Sequence, residues 1–153
     1  MIKRKEKIIL RHTYIFNEGK WNAKGLYYDH EANQFEVIGE TIIKHLKDEW
    51  ILDGFMELKT KKPIRFFNKY SIIPKQRDKD YTIWTSVNPA IGKLNGKFMI
   101  IGDTILSSYI SEDGVYSGSE SLYRINENKY LNRGFAFNGE EKLSSWAVTL
   151  ERV

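Results

Sequence analysis

Short runs rich in Ile, Val, Thr, Tyr, Phe and Trp recur along this chain, each soon cut off by a cluster of turn formers. The clusters fall at 17–19, 29–33, 59–63, 74–80, 88–96, 111–114, 126–129 and 138–142. Such runs at fairly even spacing read as an all-β meander. Strands are predicted near 8–16, 20–28, 35–46, 49–59, 64–73, 81–87, 97–101, 104–110, 119–126, 129–137 and 143–152. Only the 35–46 run also fits a helical stripe, through Phe35, Ile38, Ile42 and Leu46. Gly39 at its middle and its β-branched residues favour a strand.

About ten antiparallel strands must each bury one face and hide their edges, which a sandwich or a closed barrel achieves. Strand-by-strand order with short loops favours an up-and-down barrel of about 8–10 strands, wide enough inside for side chains or one small ligand. All 153 residues form a single domain, since no linker or low-complexity tract divides them. Alternation points Phe35, Val37, Gly39, Thr41 and Ile43 inward, then Trp50, Leu52, Gly54, Met56 and Leu58. In 64–73 the inward set is Ile64, Phe66, Asn68, Tyr70 and Ile72, and in the last strand Trp146, Val148 and Leu150. The faces of 81–87 and 104–110 stay open, and Trp21, Trp50 and Trp146 are expected to be substantially buried.

Composition removes several classes of function. Cysteine is absent, which excludes disulfides, zinc–thiolate sites, Fe–S clusters and Cys nucleophiles. The net charge of +4 is mild and concentrated at the N-terminus, as a solvated basic end rather than a nucleic-acid stripe. The apolar run Ile8-Ile9-Leu10 is too short for a secretory signal, and no run is long enough to span a membrane as a helix. The expectation is a cytoplasmic protein with no membrane association, its oligomeric state open and a homo-oligomer included.

Gly19-Lys20-Trp21 at the first well-marked barrel strand resembles the G-x-W signature of the calycins, the lipocalin and fatty-acid-binding-protein superfamily. Gly19-x-Trp21-x-x-x-Gly25 is similar to the start of small bacterial lipocalin-like families of uncharacterised function and of the nitrobindins. Trp50-Ile51-Leu52-Asp53-Gly54-Phe55-Met56 resembles their second-hairpin motif. The resemblance spans most of the chain but rests on about a dozen residues. It implies a barrel base built on Gly19, Trp21 and Arg152, with the guanidinium over the indole as a cation–π contact. Ala23 stands where nitrobindins have a further Gly, and no His lies beyond residue 45 to match their C-terminal haem ligand. Haem binding therefore does not carry over, and no cofactor is expected.

Catalytic and metal chemistry find no foothold. His12, His30 and His45 lack the spacing of metal ligands. The 92–98 segment fails the P-loop spacing, and G-x-S-x-G is missing. No catalytic residues are assigned. The most informative polar feature is 129–137, where Leu131, Arg133, Phe135 and Phe137 share a face opposite Tyr130, Asn132, Gly134 and Ala136. The bulkier face is expected inside, which buries Arg133. The preceding turn would set Leu122 opposite it, with Glu120 and Arg124 on the diagonals. The predicted ligand site comprises Arg133, Glu120, Arg124, Tyr70, Phe66 and Phe135. It would hold a small, mostly apolar molecule without catalysis, one bearing a carboxylate included. An internal Arg133–Glu120 ion pair competes with that reading. Two alternatives are a barrel enzyme acting on a small apolar substrate and an OB-type single-strand binder using Lys59, Lys61, Lys62, Arg65 and Phe67.

Overall fold

The structure, a computed structural model, describes residues 11–76 and 78–153. Ten strands follow in order: β1 (Gly19–Tyr28), β2 (Gln34–His45), β3 (Trp50–Leu58), β4 (Ile64–Ile72), β5 (Tyr81–Asn88), β6 (Gly92–Ile101), β7 (Thr104–Ser111), β8 (Tyr116–Asn126), β9 (Lys129–Asn138) and β10 (Glu141–Arg152). Each pairs antiparallel with its neighbour in sequence, and β1 pairs with β10 to close the barrel. The fold is thus the all-β, up-and-down, calycin-like barrel expected from the alternating runs. Tight hairpins follow the turn chemistry. Gly102 and Gly139 take a positive φ of 58° at the first central position of two-residue turns, where a glycine costs no steric strain.

Two predicted boundaries are corrected. Of the 8–16 strand, residues 8–10 lie outside the described residues, and 12–18 are not a strand. There the backbone turns, with Asn17 N–H donating to Thr13 O at 2.9 Å and Ile15 held at φ 69°. A β-branched residue in that region is strained, and Ile15 is fully buried, so packing holds it there. The segment closes one end of the barrel. The loop expected at 88–96 shrinks to three residues, because β6 already begins at Gly92.

The face of β9 is also corrected. Leu122 pairs with Asn132, not Arg133, so Tyr130, Asn132, Gly134 and Ala136 point inward. Arg133 and Phe135 lie on the outer wall, where Phe135 is 45% exposed. The cause is a β-bulge between Arg124 and Asn126. Neither Glu127 nor Asn128 has a positive φ, so this turn is not of the primed type that matches strand twist, and the ladder absorbs one extra residue. One residue of slip turns every side chain to the opposite face.

The inward assignments of β2 and β3 hold, as do those of Asn68, Tyr70 and Ile72 in β4, whereas Ile64 and Phe66 at the start of β4 are exposed. In β5 and β7, left open above, Thr82, Trp84 and Ser86 and then Ile105, Ser107, Tyr109 and Ser111 turn inward. Trp21 is completely buried as expected, whereas Trp50 and Trp146 are only partly so, and Trp84 is the second fully enclosed indole.

Candidate functional site in the barrel lumen

The two ends of the barrel are built differently. At the closed end, Tyr14 packs edge-on against Trp21 at 5.3 Å, and Trp21 packs edge-on against Tyr130 at 5.6 Å. Phe16 meets Trp50 at 5.8 Å, and His45 stacks on Trp50 at 4.1 Å. Most polar groups here are paired, although the buried Trp21 Nε1 and Arg124 Nε have no hydrogen-bond partner among the described residues. His12 Nε2–H donates to Gly102 O at 2.8 Å, which leaves Nδ1 to accept from the Tyr130 hydroxyl at 2.8 Å. Thr13 N–H donates to the same hydroxyl at 3.1 Å. Burial lowers the His12 pKa, in keeping with a neutral imidazole bonded through both nitrogens. Gly19, Trp21 and Arg152 do meet at this end, with Trp21 opposite Arg152 in the ladder. The guanidinium, however, lies against Gly19 and donates to Glu18 O at 3.0 Å. Among the described residues, cation–π contacts fall elsewhere, at Arg65 over Phe55 and Lys142 over Tyr28.

Above this floor the wall is lined by glycines with aromatic rings laid over them. A Cβ on Gly96 would come within 2.3 Å of the Trp84 ring, one on Gly118 within 2.5 Å of Tyr109, and one on Gly134 within 2.3 Å of Trp146. Each ring belongs to the cross-strand partner of its glycine. A strand glycine permits such close approach, so the rings lie along the wall instead of across the lumen. Tyr70 stacks face to face on Trp84 at 4.4 Å, and the Trp84 indole N–H donates to Ser107 Oγ at 3.2 Å. Inward-facing Met56, Tyr70, Tyr109, Glu120 and Trp146 are nevertheless only half-buried. In a closed barrel, the surface they leave free lies within the lumen.

Glu120 is the polar centre of that space. On β8 it pairs with Ser107 and Gly134, both small. Asn132 and Trp146 favour its charged form, but enclosure outweighs them and raises its pKa to about 7. Three tyrosines feel the same carboxylate. Burial, then Glu120, raises Tyr14 above the usual phenol range, Tyr109 to about 12, and Tyr70 well above its ordinary value. The Trp146 indole N–H donates to Asn132 Oδ1 at 3.1 Å, and the Asn132 amide donates to Ser121 O at 3.1 Å, which fixes this corner of the wall.

Of the six predicted ligand-site residues, three line the lumen. Glu120 and Tyr70 lie at its middle, and Phe66 lies at the mouth, 41% exposed and stacked on Tyr27 at 5.8 Å. Arg124 also turns inward, but at the closed end, where its charge is felt by His12 and Tyr130. Arg133 donates to Asn132 O at 3.0 Å from the outer wall. The expected Arg133–Glu120 pair does not form, because the two residues occupy opposite faces. Trp84, Tyr109, Asn132 and Trp146 complete the site. Only Gly134, inside the predicted 129–137 strand, offered a signal in the sequence, because Gly96 fell in the 88–96 turn cluster and Gly118 just ahead of the 119–126 run. The wall also loosens beside the mouth, where β4 and β5 share only the pairs Tyr70–Ser86, Ser71–Thr85 and Ile72–Trp84. Ile64, Phe66 and Phe67, beyond that ladder, are exposed.

Among the described residues, no group of three or more His, Asp or Glu is placed to hold a metal ion, and no helix is long and apolar enough to cross a membrane. No protein-family model and no curated protein sequence matches the chain. Solved structures do. The S-type phycobiliprotein lyase CPES from Guillardia theta superposes with a TM-score of 0.65 at 12% identity, covering 100% of this chain and 97% of that one. Rv2717c from M. tuberculosis superposes with a TM-score of 0.60 at 14% identity, covering 89% and 92%. At such identity the likeness is one of fold: this chain shares a closed all-β barrel with these structures.

Proposed function

We propose that this protein is a lipocalin-like binder of the calycin superfamily, holding a small, mostly apolar molecule in its lumen without transforming it. The observation that carries this reading is the way Trp84, Tyr109 and Trp146 lie over Gly96, Gly118 and Gly134. Trp84 is itself covered by Tyr70, but Tyr70, Tyr109 and Trp146 keep partly free apolar faces toward the barrel interior, and a few polar groups converge there, as in small-molecule sites generally. The loosened β4–β5 seam and the apolar mouth at Ile64 and Phe66 supply a way in.

The uncharged dye Nile red tests this. It should bind with a stoichiometry of about one, quench tryptophan emission and shift its own fluorescence to the blue. Met56→Trp adds bulk from an inward, half-buried position. It should weaken the dye at least tenfold while leaving a wild-type-like melt. Dye binding unchanged in that variant would assign the dye to the outer wall, and no binding to wild type would mean a lumen closed to ligands. Either result defeats the reading.

A further inference from the structure

We propose that the lumen selects an organic cation, with a protonated nitrogen held by the Glu120 carboxylate and an apolar body lying against Tyr70, Tyr109 and Trp146. This rests on the reading of the lumen as a binding site, and it reverses the sign of charge expected from the sequence. Five residues from five parts of the chain face Glu120. Tyr14 approaches from the closing segment, Tyr70 from β4, Tyr109 from β7, Asn132 from β9 and Trp146 from β10. The titratable members of that set are tyrosines, none of which becomes positive. The inward-facing arginines, Arg124 and Arg152, belong to the closed end, and neither forms an ion pair with Glu120. No inward strand position carries a lysine.

An ionised carboxylate in such a site has polar neighbours but no counter-charge. Coulomb attraction grows as water is excluded. A ligand that brings its own positive nitrogen therefore gains most here, while a carboxylate or phosphate is repelled by Glu120 and finds no arginine to offset that. The flat ring faces add to the preference, because aromatic faces attract cations. The raised pKa of Glu120 supports the same conclusion through linkage. A cation that binds the ionised form must displace the carboxyl proton below about pH 7, so its affinity should climb as pH rises through that value.

Three probes of one shape separate the outcomes: 1-naphthylmethylamine, 1-naphthalenemethanol and 1-naphthaleneacetate, titrated calorimetrically. At pH 8 the amine should bind at least tenfold tighter than the alcohol, and the acetate most weakly. Glu120→Gln should bring the amine down to the alcohol's affinity and leave the alcohol unchanged. A second arm needs no variant. Between pH 5.5 and 8 the amine, protonated throughout, should tighten by roughly tenfold or more in wild type, while the alcohol stays level. If the acetate equals the amine, or the amine ignores both pH and the substitution, the cation assignment is overturned while alcohol binding still upholds the lumen reading. If none of the three binds and Nile red does not either, the lumen reading itself fails and takes this proposal with it.

Discussion

The closed end and the middle of the barrel use the same residue types for opposite ends. At the floor, aromatic rings meet edge to face, and the buried His12, Thr13 and Tyr130 spend their polar atoms on one another and on backbone carbonyls. Halfway up, the rings lie along the wall over glycines, and the carboxyl of Glu120 has Asn132 and Trp146 as polar neighbours but, among the described residues, no cation. Edge-to-face packing fills volume, whereas rings laid over glycine give it back. The floor is therefore where stability is concentrated, and the lumen is where some of it is given up.

The largest test of that contrast compares two indoles. Trp21 is fully buried among Tyr14 and Tyr130, so Trp21→Ala empties a packed site and should cost about 3–5 kcal/mol. Trp146 already borders the lumen, so its removal widens an existing space, and Trp146→Ala should cost about 1–3 kcal/mol, including its bond to Asn132. Chemical denaturation of both variants measures this. Equal costs would mean the lumen wall is packed as tightly as the floor.

The same contrast explains which parts could be read in the sequence. In β2 and β3 the outward positions carry Glu36, Glu40 and Lys44, then Asp53 and Glu57, so charge marks the solvent side and alternation gives the faces correctly. In β9 the rule that bulk points inward fails for a physical reason. The inner face is kept small at Gly134 because Trp146 from β10 occupies that room, and Leu131 and Phe135 end up outside. The bulge at Ile125 completes the error, since a bulge leaves no fixed composition to recognise. Small polar residues on the inside of β5 and β7, such as Thr82, Ser86 and Ser107, blur alternation in the same way. Glu120 was legible as a residue near the site but not as its centre, because its role depends on Arg133 being outside.

Titration distinguishes the two regions next. Glu120 keeps its proton in the folded state up to about pH 7, whereas its ordinary value is 4.5. Below pH 4.5 the group is protonated in both states and costs nothing. Between 4.5 and 7 only the unfolded chain ionises, so stability falls as pH rises, and above 7 the penalty is complete. At about 1.4 kcal/mol per unit, the ceiling is about 3 kcal/mol, less what lumen water screens. Glu120→Gln should thus match wild type near pH 4 and exceed it by about 1–3 kcal/mol at pH 8. His12 at the floor has the opposite sign: its lowered pKa means stability is lost as pH falls below 6.5. Denaturation curves across pH 4–8 should show the Gln variant retaining only the His12-type slope. A variant less stable than wild type at pH 8 would show that the carboxylate is well solvated or paired.

The smallest expected effect separates two glycines. On Gly134 a Cβ would lie 2.3 Å from the Trp146 ring, so Gly134→Ala forces the indole off the wall and into the lumen. Displacing a packed ring costs about 1–3 kcal/mol, and the stiffer unfolded chain returns roughly 0.4–1 kcal/mol, so the net loss should be about 1 kcal/mol. On Gly19, at the floor, the nearest atom to a new Cβ is Arg152 Nε at 3.1 Å, the end of a flexible side chain that can shift aside. Gly19→Ala should therefore change stability by less than about 0.5 kcal/mol. The sharper readout is spectroscopic. Moving Trp146 away from Gly134 disturbs its bond to Asn132 and turns its ring toward Glu120, so near-UV circular dichroism and tryptophan emission should change in Gly134→Ala and not in Gly19→Ala. Nile red should weaken only in the former, because the ring then fills part of the lumen. If Gly134→Ala keeps wild-type spectra and dye affinity, the ring is not held against the wall by the missing Cβ, and the open middle of the barrel needs another cause.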